Sequence, residues 1–453
     1  MTNGKLKAFL LCICLVLLLT AAGCGELEVP IPTPSPAPEV NIFTTPEPTP
    51  TPTPEPTAEP TEEPTPEPTA TPEPTPEPTP IAASLGFAGD VLIMQSQINA
   101  AHVSGGGYDF KDTFRPMQAL FESVDFMVLN FEGTLAGEAA GYTQPKPTAI
   151  PATESNPNPP KLYQRFNAPD ELVGDLMALG VDGFSTANNH CLDKGVEGLL
   201  RTVEVMDEYG VFHTGTFSSP ERFNTADIAE INGIKVGFVS AAKSLNGYDG
   251  YMSAEQAKYM VLRLSDEAMT RAAIRRCREQ GAELVVVMPH WGSQYQNSRN
   301  AEQIAQAQKL VSWGADVIIG CHPHVVQEIE WVTAQRDGKA VTAPVVYCMG
   351  NFVSSMSRSE YTTDIGLFAR IDIEKDTEGN VSVTGVSYIP TYDWVHETRD
   401  GRYLHEIFPC FEDLTGVYSV DGWQPTEGMG RAKRHCIEVV GEEIPYIKNP
   451  LGE

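Results

Sequence analysis

Paired cysteines and positive charge are what this 453-residue chain has little of: its nine cysteines include no Cys-x-x-Cys spacing, and 31 lysines and arginines face 60 aspartates and glutamates. Without paired thiols the chain is neither a zinc ribbon nor a disulfide-dense scaffold. The formal charge of −29 at pH 7 excludes nucleic acid as a partner, because phosphate contacts need clustered lysine and arginine; divalent cations suit such a surface better. Cys12, Cys14 and Cys24 lie near the amino terminus, and the other six are Cys191, Cys277, Cys321, Cys348, Cys410 and Cys436. Cys191 and Cys321 stand beside candidate metal ligands and read as small buried packing residues. A bridge between Cys410 and Cys436 is left open by the sequence.

Lysine and arginine are missing altogether from residues 30–80, a Pro-Thr-Glu tract with nine glutamates. Proline at every second or third position removes backbone donors and fixes φ, so the tract cannot build a core and favours extended polyproline II. Mutual repulsion of the glutamates stiffens it, and as a stalk it would reach roughly 100 to 150 Å. Before it come Lys5 and Lys7, an apolar run over residues 8–19, and Thr20-Ala21-Ala22-Gly23-Cys24. The run is too short to cross a bilayer as a permanent helix and ends in small residues, the pattern of a secretion signal. Ala-Ala-Gly before Cys24 resembles a bacterial lipobox, implying cleavage after Gly23 and a lipid on Cys24; plain secretion with an incidental cysteine is the other reading. The expected organisation is a lipoprotein signal at 1–23, a lipid-anchored stalk at 24–80, a main domain at 81–395, and a carboxyl-terminal extension at 396–453 packing on or beside it. The expected location is the outer face of a bacterial cell membrane or its wall.

Within the main domain, short Val/Ile/Leu-rich runs alternate with helical stretches, which reads as an α/β fold with central strands. Strands are expected to end at Asp90, Asn130 and Asn188 and to cover 235–240, 283–288, 316–320, 345–349, 366–373 and 381–389. Helices are expected at 114–123, 170–179, 196–209, 266–280 and 301–313, with a Pro-rich loop at 145–160. The strand-rich end adds a further β layer to the α/β core.

Five of the apolar runs end in residues of metal-ligand type: Asp90, Glu132, Asn189-His190, His290, and His322-Pro323-His324. In such sheets functional groups collect beyond the strand carboxyl ends, so these residues converge in space. Pro323 disfavours helical geometry at His322, which predicts an extended step with both imidazoles on one side. Asp90 and Glu132 add carboxylates, either of which can bridge two ions, and Asn189 and His290 add an amide oxygen and another imidazole. This donor mixture suits Mn, Fe or Zn, and six ligands exceed one tetrahedral centre, so one or two divalent ions are expected. A two-metal site suits phosphoester hydrolysis. His190 is then the candidate general acid for the leaving oxygen, with a ligand or supporting role as the alternative. Asp193 precedes Lys194-Gly195 and a helical pattern, where a carboxylate can cap backbone amides. Asn351 either reaches the edge of the site or turns the chain after a strand.

These segments, Gly89-Asp90, Asn130-Phe131-Glu132, Ala187-Asn188-Asn189-His190 with Asp193, His290-Trp291-Gly292, His322-Pro323-His324 and Gly350-Asn351-Phe352, resemble the CapA family of capsule and poly-γ-glutamate synthesis proteins, within the calcineurin-like metallophosphoesterase superfamily. The resemblance covers about 84–352. It implies a four-layer α/β/β/α sandwich in which Asp90 and His324 hold one ion, Glu132 bridges, and Asn189, His290 and His322 hold the second. It also implies that His190 assists the leaving group. Asn130, Asn188, Asp193 and Asn351 are expected to support the ligands from behind. The implied partners are an anionic capsule polymer or phosphoester substrate and a membrane-bound polymer synthesis complex. Two departures stand out: Val91-Leu92 follows Asp90 where the superfamily has Asp-x-His, and Gln294-Tyr295 replaces a Glu-Tyr pair. The first leaves one ion short of a ligand. Two functions are compatible with these residues, a metal-dependent hydrolase and a non-catalytic polymer-binding or assembly factor. Arg431, Lys433, Arg434 and His435 form a candidate cationic strip for the latter.

Overall fold

A computed structural model describes residues 79–144, 164–356, 361–397, 401, 403–411 and 425–448. The chain divides into two units, Met1–Pro74 and Thr75–Glu453, and every described residue lies in the second. The signal segment, Cys24 and the Pro-rich loop at 145–160 lie outside the described residues, as does the stalk apart from its last two residues.

The chain begins one sheet, leaves it to build another, and returns. Strands β1 (Ile81–Val91), β2 (Phe126–Phe131), β3 (Gly183–Ser185) and β4 (Phe212–Thr214) pair side by side in parallel. The second sheet follows as β5 (Asp227–Ile231), β6 (Ile234–Ala242), β7 (Leu284–His290), β8 (Val317–Ile319), β9 (Ile329–Arg336) and β10 (Lys339–Val346), in the order β5-β6-β7-β8-β10-β9. β11 (Asn351–Val353) then pairs parallel with β1, and β12 (Ile365–Lys375), β13 (Val381–Glu397) and β14 (Tyr403–Pro409) extend the first sheet in antiparallel fashion from the other side of β1. Each sheet thus has a parallel centre, which needs crossover helices and so demands cover on its outer face.

Those helices are α1 (Gln95–Ala101), α2 (Lys111–Phe114), α3 (Gln118–Phe121), α4 (Glu171–Ala178) and α5 (Gly195–Tyr209) before the second sheet, with α6 (Pro220–Asn224), α7 (Glu267–Glu279), α8 (Ala301–Trp313) and α9 (Thr426–Val440) later. Side-chain alternation along the strands sorts the cores. Leu85, Phe87 and Val128 from the first sheet meet Leu284, Val286 and Met288 from the second in one buried layer. The opposite faces of the same strands pack outward: Ala88, Met127 and Leu129 against Leu172 and Leu176 of α4, and Val285 and Val287 against Ile274 of α7 and Leu310 of α8. With period two, successive residues serve opposite layers, and the result is helix, sheet, sheet, helix. The four-layer expectation holds.

Differences from the sequence reading are local. The helix expected over 114–123 is two short turns, because Pro116 lies in an intervening 3₁₀ segment, Arg115–Met117. The strand expected to reach Asn188 stops at Ser185, and β10 stops at Val346. The boundary expected at 395 falls inside β13, whose partner β14 forms the sheet edge, while Met429, Ala432 and Cys436 of α9 enter the layer between the sheets. Cys410 and Cys436 are buried free thiols in that layer. Among the described residues, no helix is long and apolar enough to cross a membrane.

Candidate metal centre

Asp90 is delivered by the close approach of β1 and β11. A Cβ on Gly89 would fall 1.9 Å from the Gly350 carbonyl oxygen, so glycine there lets the Asp90 N–H donate to that oxygen at 3.1 Å. The register then sets Asp90 beside Asn130 on one side and Asn351 on the other. Asn130 Nδ2 donates to Asp90 Oδ1 at 2.7 Å and is itself held by Ser185 Oγ, which donates to Asn130 Oδ1 at 2.8 Å. Glu132 follows β2, its N–H donating to Val91 O at 3.1 Å.

Past β3 the chain turns, and Asn188 makes the turn: its Nδ2 donates to Phe131 O at 2.7 Å and its Oδ1 accepts the His190 N–H at 3.0 Å. This swings Asn189 toward β7, where its Oδ1 lies 2.6 Å from His290 Nε2. The same His290 nitrogen is 3.2 Å from His322 Nδ1 and 3.4 Å from Glu132 Oε1. On the other side of Glu132, His324 Nδ1 is 3.3 Å from Asp90 Oδ2, 4.0 Å from Glu132 Oε2 and 3.0 Å from Asn351 Oδ1. Two three-residue ligand groups result, Glu132-His290-His322 and Asp90-Glu132-His324, and Glu132 belongs to both.

All six expected ligands therefore meet in one place. The step that carries His322 and His324 differs from expectation: it is not extended, since His322 has φ 103° and His324 φ 62°. Left-handed backbone at two non-glycine residues costs on the order of 1 to 3 kcal/mol each and is characteristic of functional sites. Asp193 also departs from its expected role. Lys194, not Asp193, precedes α5, and no side chain caps it. Asp193 Oδ2 instead lies 2.8 Å from His190 Nδ1 and accepts the Phe166 N–H at 2.5 Å. His190 Nε2 then faces Glu132 Oε1 at 3.9 Å. Asn351 reaches the site and also donates from Nδ2 to Ser354 Oγ and Thr363 O, at 3.0 Å each.

The electrostatics of the cluster are set by burial and by the mutual fields of its carboxylates and imidazoles. Burial, reinforced by the charge of Asp90, pushes the Glu132 carboxyl up to about 8. Burial works against the charge on Asp90 too, yet the His324 imidazole beside it and the field of His290 hold it well below the usual carboxylate range. Burial alone would lower His324; Glu132 and Asp90 outweigh it and raise that imidazole to about 9. His290 and His322 are pushed down by burial, His290 to about 3, and stay neutral as metal ligands must. Among the described residues, Glu132 Oε1 and Oε2 and Asp90 Oδ2 are buried without a hydrogen-bond donor. Buried carboxyl oxygens without partners are costly, and a carboxylate, amide and imidazole set arranged around them fits one or two divalent ions.

Residues 84–356, more than half of the chain, match the family described as bacterial capsule synthesis protein PGA_cap. The chain belongs to this family. It is 28% identical over 203 residues to the capsule biosynthesis protein CapA of Bacillus anthracis, covering 43% of this chain and 46% of that protein. It is 23% identical over 304 residues to the PGA biosynthesis protein CapA of Bacillus subtilis (strain 168), covering 67% and 71%. A probable polyglutamine synthesis accessory protein of Mycobacterium tuberculosis is 26% identical over 189 residues, covering 40% and 47%. The chain thus spans about half the length of the first of these relatives. Among solved structures it is similar to the Haemophilus influenzae NAD nucleotidase, with a TM-score of 0.38, 11% identity, and coverage of 82% of this chain and 65% of that one.

Gln294, which stands where the resemblance has a Glu, places its Nε2 3.3 Å from His324 Nε2. Sequence reasoning missed Ser185, which holds Asn130, and Phe166, which stacks edge-on to His190 at 4.5 Å. Ser185 and Phe166 carry no local signal, since each matters only through a contact with a distant strand or turn. Three members of the cationic strip pack against the fold: Arg431 pairs with Asp364 and covers Tyr392, Lys433 lies over Tyr446, and His435 contacts Asn297 and Thr362, while Arg434 is exposed.

Proposed function

We propose that this protein is a surface-anchored accessory of capsule polymer synthesis or export, of the poly-γ-glutamate type, carrying a metal-dependent phosphoesterase-like hydrolase site. The single observation that carries the hydrolase reading is Glu132: a buried carboxylate with both oxygens lacking donors, shared by two ligand groups. Glu132, His290, His322 and Asn189 would hold one divalent ion, and Asp90, Glu132 and His324 the other, with Mn, Fe or Zn the metals that suit these donors. Such ions supply Lewis acidity toward a phosphoryl oxygen and acidify water.

The chain's own residues supply the rest. Asp193 takes the Nδ1 proton of His190 in a hydrogen bond, which fixes the ring and leaves Nε2 facing the ligand cluster. With both ring nitrogens protonated, His190 would donate the Nε2 proton to the departing oxygen and keep the Nδ1 proton in its hydrogen bond to Asp193. Phe166 packs against the imidazole and its N–H holds Asp193, so neither partner can swing away. Asn188 sets the turn that brings both Asn189 and His190 to the site.

The surface location rests on the amino-terminal sequence, with lipid on Cys24 and the Pro-rich tract as a spacer, together with the family's capsule association. The competing reading, a polymer-binding or assembly factor built on the metal fold, draws on Leu92 standing where the superfamily has a histidine. The cationic strip gives that reading limited help, because Arg431 is paired with Asp364 and Lys433 lies over Tyr446, which leaves Arg434 as its exposed charge. The deciding experiment measures metal content and turnover of aryl phosphates and phosphodiesters by the purified chain. Metal-dependent turnover supports the hydrolase; tightly held metal with no turnover across those substrates favours the binding factor.

A further inference from the structure

A second constellation lies along the same sheet, away from the metal ligands. His405 on β14 and Asp393 on β13 are both buried, and His405 Nδ1 lies 3.1 Å from Asp393 Oδ1 and 3.3 Å from Oδ2. On the other side of the ring, His405 Nε2 lies 3.2 Å from Ser355 Oγ and 3.3 Å from Ser96 Oγ. Ser355 follows β11 and Ser96 lies in the first turn of α1; both are half-buried, and their hydroxyls touch. We propose that Ser355, His405 and Asp393 form a serine nucleophile site acting on carboxylic esters or amides, chemically independent of the metal centre.

The proton positions follow from the partners. Gln97 Nε2 also lies 3.4 Å from Nδ1, but the two Asp393 oxygens are nearer; a carboxylate only accepts, so the ring proton is placed on Nδ1 and Nε2 is the acceptor. Ser96 Oγ donates to Gln97 Oε1 at 3.1 Å, an amide oxygen that also accepts the Met94 N–H at 3.0 Å. With the Ser96 proton so used, the Ser355 hydroxyl is the donor left among the two serines, and it lies within reach of both Ser96 Oγ and His405 Nε2. Asp393 is held in turn, its Oδ2 accepting the Ser354 N–H at 3.3 Å. Nucleophile, base and orienting carboxylate are thus in hydrogen-bond sequence, the arrangement that activates serine on unrelated folds. The Ser355 N–H points at the thioether sulfur of Met94, 3.2 Å away. Sulfur is a weak acceptor, so a developing oxyanion would take over that donor.

In the step itself Ser355 Oγ bonds to the acyl carbon while its proton passes to His405 Nε2. The bond from carbon to the leaving alcohol or amine breaks, and the leaving group takes that proton. Water then attacks the seryl ester along the same proton path, releasing the acid and restoring Ser355. Asn351 ties the two sites together structurally, with Oδ1 toward His324 and Nδ2 on Ser354 Oγ, but it takes no part in this chemistry.

The test treats the intact chain with a fluorophosphonate probe and maps the modified peptide by mass spectrometry, with and without EDTA. The expected result is a covalent adduct on Ser355 that persists in EDTA, disappears in Ser355→Ala, and forms about 100-fold more slowly in His405→Ala. Asp393→Asn serves as a milder variant should His405→Ala fail to fold, with the same direction of effect. A folded wild-type chain that stays unlabelled overturns the proposal. So does an adduct on Ser96 in place of Ser355, or labelling that requires metal.

Discussion

His190 and Asp193 form a buried pair, Nδ1 to Oδ2 at 2.8 Å, one turn of chain apart and beside the metal ligands. The pair orients His190 so that its other nitrogen faces Glu132 Oε1 at 3.9 Å. His190→Ala should therefore keep its metal while losing about 100-fold or more in turnover of a phosphoester with a poor leaving group, and less with a good one. Asp193→Asn should lose at least about 10-fold, again with metal retained. Elemental analysis beside leaving-group kinetics checks both; metal loss equal to that of a ligand variant would make His190 a ligand.

Because Glu132 belongs to both ligand groups, Glu132→Gln should empty both. His322→Ala should spare the group built on Asp90 and His324. Metal content should thus fall close to zero in the first variant and by about half in the second if two ions bind. A Glu132→Gln chain with full metal content would remove the shared-ligand arrangement.

Metal binding should compete with protons in a defined window. Glu132, raised to about 8, and His324, raised to about 9, both carry protons at pH 7 and must lose them to ligate. Their folded-state affinity for protons exceeds the ordinary value, so apparent metal affinity rises with pH and levels off above about 9. Titration calorimetry at pH 7 in buffers of different ionisation enthalpy should register net proton release. Proton-neutral binding at pH 7 would contradict this.

Gly89→Ala should destabilise the fold by about 3 kcal/mol or more, because the new methyl meets backbone that cannot yield without separating β1 from β11. Denaturant unfolding measures it. A loss under 1 kcal/mol would mean that the two strands can part cheaply.

Cys24→Ser should release the protein from the membrane fraction or block its processing, with the folded unit unchanged. Fractionation and mass analysis decide the matter. A variant processed and retained like the wild type points to another anchor.

The sequence by itself determined the elements and the chemistry of their ends. Apolar runs of strand length alternating with helical periodicity imply a covered parallel sheet, and Asp90, Glu132, Asn189, His290, His322 and His324 each follow such a run, so their convergence was legible from local pattern alone. Only the tertiary structure decided which donors face each other, that Glu132 is shared, and that His322 and His324 reach the site through left-handed backbone. Asp193 shows why. Its position before a helix suggests a cap, but its partners are set by the turn at His190 and by Phe166, which lies 27 residues away. The edge strand β14 and helix α9 were invisible for the same reason, and so was the meeting of Ser96 with His405 across 309 residues. Hydrophobic periodicity encodes which face of an element is buried, whereas pairing across the sheet depends on contacts that no local window of sequence contains.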